Sequence, residues 1–179
     1  GVVNKDMNCE LALGIGMAWG TFLKRVINRP KIAIGTDARL SNHMLKNAIA
    51  AGFLATGCDV IDVGLVPTPT LQCTVKEKKY DSGVIITASH NPPNFNGIKG
   101  VASDGTEFSK DIENEIEKIY FEKKFSLASW RDVGKTLNWD GAIDLYINGI
   151  LNNVDVDLIK KKRFHVVLDC GNGAGSLVT

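Results

Sequence analysis

Ser82-Gly83-Val84-Ile85-Ile86-Thr87-Ala88-Ser89-His90-Asn91-Pro92-Pro93-Asn94-Phe95-Asn96-Gly97-Ile98-Lys99 changes character in the middle. Ser82 to Thr87 is a short apolar run rich in β-branched residues and reads as a strand. The eleven residues from Ala88 to Ile98 then hold two prolines, three asparagines and one glycine, which no regular element would choose. Another short strand is predicted around Ile98 to Ala102, with no room for a crossover helix before it. A strand reached by a loop alone is expected to lie antiparallel to its neighbour.

Upstream, helices and strands alternate. Leu11, Ile15, Ala18, Phe22 and Ile27 recur near helical spacing, so residues 8 to 27 read as a helix that Asn8 can cap. Gly14, Gly16 and Gly20 lower its propensity but let a neighbour pack closely. Lys31 to Gly35 is a strand and Thr36 to Ser41 a polar turn. A helix from about Ser41 to Thr56 closes at Gly57 in the usual manner. Asp59 to Val63 is a strand, and the prolines of Val66-Pro67-Thr68-Pro69-Thr70 set up a helix to Lys78. The order αβαβαβ argues for parallel strands joined by helical crossovers. The expected fold is therefore α/β, three-layer αβα, with a mixed four-stranded sheet.

Downstream, Ser109 to Phe121 reads as a capped acidic helix, whose Asp111, Glu113, Glu115 and Glu117 suit a solvated face. Residues 122 to 139 lose the pattern and read as a linker. A helix from Asp140 to Leu151 and a strand from Phe164 to Cys170 begin something new. The glycine turn Gly171-Asn172-Gly173-Ala174-Gly175 comes next, and a helix is wanted behind it. The expected division is a serine-loop domain over residues 1–134 and an incomplete start of a second α/β domain over residues 135–179.

The 179 residues are 44% hydrophobic and 23% charged, enough for a core of ordinary size. A net charge of +1 gives no sign of nucleic acid or an anionic membrane as partner, so any bound anion must be held by a local site. Apolar stretches stop well short of the roughly 18 residues that a membrane span needs. Cys9, Cys58, Cys73 and Cys170 lack zinc-site spacing and read as free thiols, which points to a reducing, cytoplasmic setting.

The loop after the third strand concentrates the chemistry. It offers the hydroxyl of Ser89, the imidazole of His90, the amides of Asn91, Asn94 and Asn96, and the amine of Lys99. A serine acts as a nucleophile only where a base takes its proton or an electrophile is held against it. Phosphoryl transfer is accelerated mainly by positioning and charge neutralisation. Two prolines reduce the entropy lost on ordering the loop. Its place at the C-terminal edge of a sheet strand is where ligands of α/β proteins bind.

Thr87-Ala88-Ser89-His90-Asn91-Pro92-Pro93, followed by Asn96-Gly97-Ile98-Lys99, resembles the active-site signature of the α-D-phosphohexomutase family. Gly35-Thr36-Asp37-Ala38-Arg39, Val66-Pro67-Thr68-Pro69 and Asp104-Gly105 match further motifs of that family. Val167 to Gly175 resembles the opening strand and turn of its second domain. The resemblance implies an intramolecular phosphotransferase that interconverts hexose 1-phosphate and 6-phosphate through a hexose bisphosphate. Ser89 would carry the phosphoryl group, and its phosphate would give one ligand to Mg²⁺. Lys99 would act as general acid or base. His90 and Asn91 would line the site, with Asp37 and Arg39 beside them against phosphate or sugar.

Gly1-Val2-Val3-Asn4 is similar to only the tail of the family's glycine-rich opening motif, whose arginine reaches the active site. The other Mg²⁺ ligands, in an Asp-Gly-Asp-x-Asp-Arg run, are expected within about 50 to 80 residues after Thr179. The sugar-recognition and distal phosphate loops lie in later domains. The chain is therefore expected to be a fragment, inactive without the enzyme's remaining domains. Two other readings stay open: a phosphatase or kinase with Ser89 as carrier, and a non-catalytic α/β phosphosugar-binding module. Taken singly, Lys99 also suits a solvated edge strand, Asp37 and Arg39 a turn pair, and the Gly171 turn a nucleotide site.

Overall fold

A computed structural model describes all residues from Gly1 to Thr179. Helix α1 (Cys9–Lys24) begins where the Asn8 side chain accepts the Leu11 N–H at 2.9 Å. Strand β1 (Lys31–Thr36) leads into α2 (Asn42–Ala55), then β2 (Asp59–Leu65), α3 (Thr68–Lys78) and β3 (Ser82–Ile86). Helix α2 ends as expected: Gly57 has φ +84°, and the Cys58 N–H returns to the Phe53 carbonyl. Strand β4 (Ile98–Ala102) comes directly after the long loop. Then come α4 (Lys110–Glu122), β5 (Thr136–Asn138), α5 (Ala142–Leu151) and α6 (Val156–Lys162).

The sheet order is β4-β3-β1-β2-β5. Strands β1, β2, β3 and β5 are parallel, while β4 runs antiparallel to β3, with Ile86 opposite Ile98 and Ile85 opposite Lys99. The expected mixed sheet forms, but it has five strands rather than four. The fifth is β5, inside the stretch read as a linker, paired to β2 at Val60–Asp62. Its three residues are all exposed, so no apolar alternation marks it.

Period-2 alternation on the strands feeds two cores. Ile32, Ile34, Val60, Val84 and Ile86 face α1, α2 and α4. Ala33, Ile61, Val63, Ile85 and Val101 face the side covered by α3 and α5. This is the three-layer αβα arrangement. On the first side α1 and α2 cross at glycines: a Cβ on Gly16 would strike the Ile49 carbonyl, and one on Gly52 the Leu13 carbonyl.

The expected strand from Phe164 to Cys170 does not form. The segment runs without a ladder partner, and Val166, Val167 and Leu168 are exposed. An apolar run specifies a strand only where an edge is available to pair with it. The short helix α6, capped by Asp155 onto the Leu158 N–H, was not anticipated.

Candidate active site

Thr36 closes β1 opposite Ile86, which closes β3. The turn after β1 and the serine loop after β3 therefore leave the same sheet edge side by side. The Asp37 N–H donates to the Ile86 carbonyl at 3.1 Å, which ties the two exits together.

Asp37 is the hub of the polar network at this edge. Its carboxylate accepts from Thr87 Oγ1 at 2.7 Å, from Asn42 Nδ2 at 2.8 Å, from the Arg39 N–H at 3.0 Å and from Arg39 Nε at 3.2 Å. Burial pushes this carboxyl up, but bonds from Asn42, Thr87 and the Arg39 N–H, with the Arg39 charge, outweigh burial. They hold it below the ordinary carboxylate range. Thr87 Oγ1 also accepts the Ser89 N–H at 3.1 Å. Asn42 Oδ1 accepts from Asn96 Nδ2 at 2.7 Å, and the same amide reaches Ser41. The loop is thus held at its start through Thr87 and at its end through Asn96.

Between those anchors Ser89 has φ +53°, a left-handed conformation uncommon outside glycine. Its hydroxyl is exposed at the rim of a cavity of about 540 Å³. Asp37, Arg39, Val66, Thr68, Thr87 and Asn91 also line that cavity, and the Gly171–Gly175 turn lies on its wall. His90 Nδ1 stands 3.4 Å from Ser89 Oγ, long for a hydrogen bond. Asn91 Nδ2 donates to the Ala88 carbonyl at 2.9 Å, so this amide braces the loop. The N-terminal segment supports the other side, where the Val3 N–H meets the Asn94 carbonyl and Val2 bridges Phe95.

Five of the six expected site residues, Ser89, His90, Asn91, Asp37 and Arg39, thus meet in one contiguous group. Lys99 stands apart. It is opposite Ile85, a residue of the cavity wall, but its Nζ makes an ion pair with Glu107 at 2.8 Å on exposed surface. Such a pair contributes little. Glu107→Gln is expected to change the unfolding free energy by less than about 0.5 kcal/mol in a urea titration. A loss of about 2 kcal/mol would mean that Lys99 is anchored rather than free to swing.

Thr87 and Asn96 belong to the serine loop but had no part assigned from sequence, and Asn42 was missed. It read as the start of a helix, and its signal, a buried amide in the first turn, exists only in three dimensions. A second cavity of about 380 Å³ opens between α1 and α4. Its largely apolar lining includes Trp19, Phe108 and Tyr120, with Glu113 and Glu117 among the polar residues and no serine, cysteine or histidine.

The donors for a magnesium ion do not assemble within these residues. No group of three His, Cys, Asp or Glu side chains converges anywhere. The one carboxylate on the cavity wall, Asp37, is committed to its four hydrogen bonds. No helix is long and apolar enough to cross a membrane, and all four cysteines are free.

The family model described as phosphoglucomutase/phosphomannomutase, alpha/beta/alpha domain I, matches residues 1–127. The chain is 47% identical over 178 residues to a phosphoglucomutase/phosphomannomutase of Thermococcus kodakarensis, covering 99% of this chain and 39% of that protein. It is 43% identical over 180 residues to a phosphoglucosamine/phosphogalactosamine mutase of Sulfurisphaera tokodaii, at 100% and 39% coverage. Among solved structures, a phosphoglucomutase/phosphomannomutase family protein from Burkholderia thailandensis superposes with a TM-score of 0.76 at 29% identity, over 87% of this chain and 34% of that one. The chain thus spans about two-fifths of the length of these curated relatives.

Proposed function

Since this chain belongs to the phosphoglucomutase/phosphomannomutase family, we propose that it is the serine-loop portion of an enzyme that moves a phosphoryl group between the 1- and 6-oxygens of a hexose phosphate. The observation that carries this reading is Ser89: an exposed hydroxyl, in a left-handed backbone, held by a network that reaches three elements of the fold. A chain pays for such an arrangement in stability, which is characteristic of functional sites.

In this reading the phosphate on Ser89 passes to the free hydroxyl of the sugar phosphate. The bond from phosphorus to Ser89 Oγ breaks as that oxygen takes a proton from an acid, a bond to the sugar oxygen forms, and the sugar hydroxyl's proton leaves to a base. The hexose bisphosphate then reorients, and its other phosphate returns to Ser89 Oγ, which gives up its proton as the released sugar oxygen gains one. The residues of this chain hold the backbone of the carrier serine in place through its N–H and its carbonyl, and positioning is most of what phosphoryl transfer asks of a protein. His90 and Asn91 face the sugar phosphate. Lys99 is the acid or base, released from Glu107 when substrate is bound. Magnesium would be the cofactor of the whole enzyme, neutralising phosphoryl charge, and phosphorylated Ser89 would give it one ligand. The chain's own carboxylates supply no site for it.

Residues 1–134 form the serine-loop domain and residues 135–179 open a second unit. The end of the family match at residue 127 supports this division, while β5 and α5 carry packing of the first unit past it. The setting is cytoplasmic, in keeping with four free thiols, and the 179 residues alone lack mutase turnover.

The test uses the longer enzyme, with the length its relatives have. Ser89→Ala is expected to cut hexose phosphate interconversion by at least about 10³-fold. The unsubstituted protein should carry roughly 80 Da of added mass at Ser89, the mass of one phosphoryl group. Undiminished turnover in Ser89→Ala would sink the reading in favour of a non-catalytic phosphosugar-binding module.

A further inference from the structure

Arg39 has five N–H groups, and every one is used inside the protein. Nε donates to Asp37. One terminal nitrogen donates to the carbonyls of Pro92 at 2.7 Å and Phe95 at 3.0 Å. The other donates to the carbonyls of Ser89 at 3.0 Å and Asn91 at 2.7 Å. Four carbonyl oxygens of one loop, each more than 49 positions away in the chain, converge on a single planar cation.

That stoichiometry leaves no donor for a substrate phosphate. We infer that Arg39 is a positioning residue, a template on which the Ser89 loop is folded, rather than a ligand of the phosphosugar. The inference rests on the reading of Ser89 as phosphoryl carrier and assigns what keeps that carrier in place. Ser89 in the left-handed region would drift toward ordinary backbone angles if its carbonyl were free to turn. Bonding to the carbonyls on both sides of the His90 peptide and to two further on fixes the direction of that stretch of backbone. Asp37 in turn orients the guanidinium and, through Thr87, the Ser89 N–H. A lysine could not substitute, because three donors on one rotating nitrogen cannot reach four carbonyls and a carboxylate held in a plane.

Without Arg39, four carbonyl oxygens and the Asp37 carboxylate would surround a hole shaped for guanidinium. The experiment is residue-resolved amide hydrogen exchange on the 179-residue chain, comparing the unsubstituted protein, Arg39→Lys and Arg39→Ala. The Ser89, Asn91 and Phe95 amides are expected to exchange at least about tenfold faster in both variants, while amides of β1 and β3 change much less. Guanidinium chloride at a few millimolar, far below denaturing levels, should slow the loop amides of Arg39→Ala back toward the unsubstituted rate. Urea at the same concentration should not. Unchanged loop exchange, equal acceleration through the sheet, or no response to guanidinium would each overturn the template role.

In the longer enzyme, Arg39→Lys should lower kcat by at least about tenfold with KM for the sugar phosphate within about twofold. A raised KM at unchanged kcat would instead make Arg39 a phosphate ligand. The two readings fail separately. Should Ser89 prove dispensable for turnover, the mutase reading falls, while loop exchange still decides the role of Arg39.

Discussion

Replacing Asp37 with alanine is expected to lower the unfolding free energy by about 3 kcal/mol, more than any other single change in the polar network. The carboxylate accepts four hydrogen bonds, two of them from buried or half-buried side chains on separate elements. Its removal strands the Thr87 hydroxyl and leaves Arg39, whose side chain is only 12% exposed, without a counter-ion. A fully buried unpaired charge costs more than this, and partial access to water sets the intermediate figure. Thr87→Val removes a single contact and should cost about 1 kcal/mol. The double variant should cost less than the sum, because the two groups share one bond.

The acid limb of the stability curve gives the same network a second signature. Asp37 titrates below its ordinary range when folded. Its contribution is therefore complete above the unfolded carboxylate value, near about pH 4, and is lost as pH falls through the lower folded value. Asp59 titrates low for a parallel reason, a hydrogen bond from Arg29 first, and loses its contribution over the same window. Urea unfolding at pH 7 and at pH 3 should thus show a large gap between the unsubstituted chain and Asp37→Ala at pH 7 and a smaller one at pH 3. A gap that is constant with pH would mean that the carboxylate acts by shape rather than by charge.

Legibility in the sequence divides along a physical line. Elements that carry their own signal were readable: the periodic apolar faces of α1 and α2, the β-branched core of β3, the glycine after α2, and the Pro and Asn crowding of the serine loop. Elements that exist because of a partner were not. Strand β5 is three exposed residues that become a strand only by pairing to β2, and Phe164 to Cys170 has a strand's composition without an edge to join. The site divides in the same way. Ser89, His90 and Asn91 lie together in one loop, so their grouping is visible in order along the chain. Arg39 was placed against phosphate or sugar by the family resemblance alone, and taken singly it suited a turn pair with Asp37. Four of its five N–H groups donate to main-chain carbonyls more than 49 positions on, the fifth to Asp37, and no residue identity announces a carbonyl. Asn42 escaped for the complementary reason, since its role depends on meeting Asp37 on one side and Asn96 on the other.

Gly52→Ala is expected to destabilise the chain by about 3 kcal/mol or to prevent its folding. The added methyl would come against the Leu13 carbonyl and the Met17 N–H of α1, and these are backbone atoms that cannot rotate aside. Gly16 faces the same crossing from α1, against the Ile49 carbonyl, so neither helix can yield without separating from the other. Separation would loosen Trp19 against Phe53, whose rings meet edge-on at 5.4 Å, and with them the centre of the larger core. Gly149 supplies the control. It lies within α5 with nothing inside 4 Å of an added Cβ, so Gly149→Ala should stabilise by roughly 0.5 to 1 kcal/mol through helix propensity alone. Chemical denaturation of both variants checks the opposite signs, and a neutral Gly52→Ala would show that the two helices are free to part. The consequence also reaches the site. Asn42 sits in the first turn of the helix that Gly52 seats, so a displaced α2 would draw Asn42 off Asp37 and Asn96. Hydrogen exchange at Ser89 and Asn91 should therefore quicken in Gly52→Ala even under conditions where most of the chain remains folded.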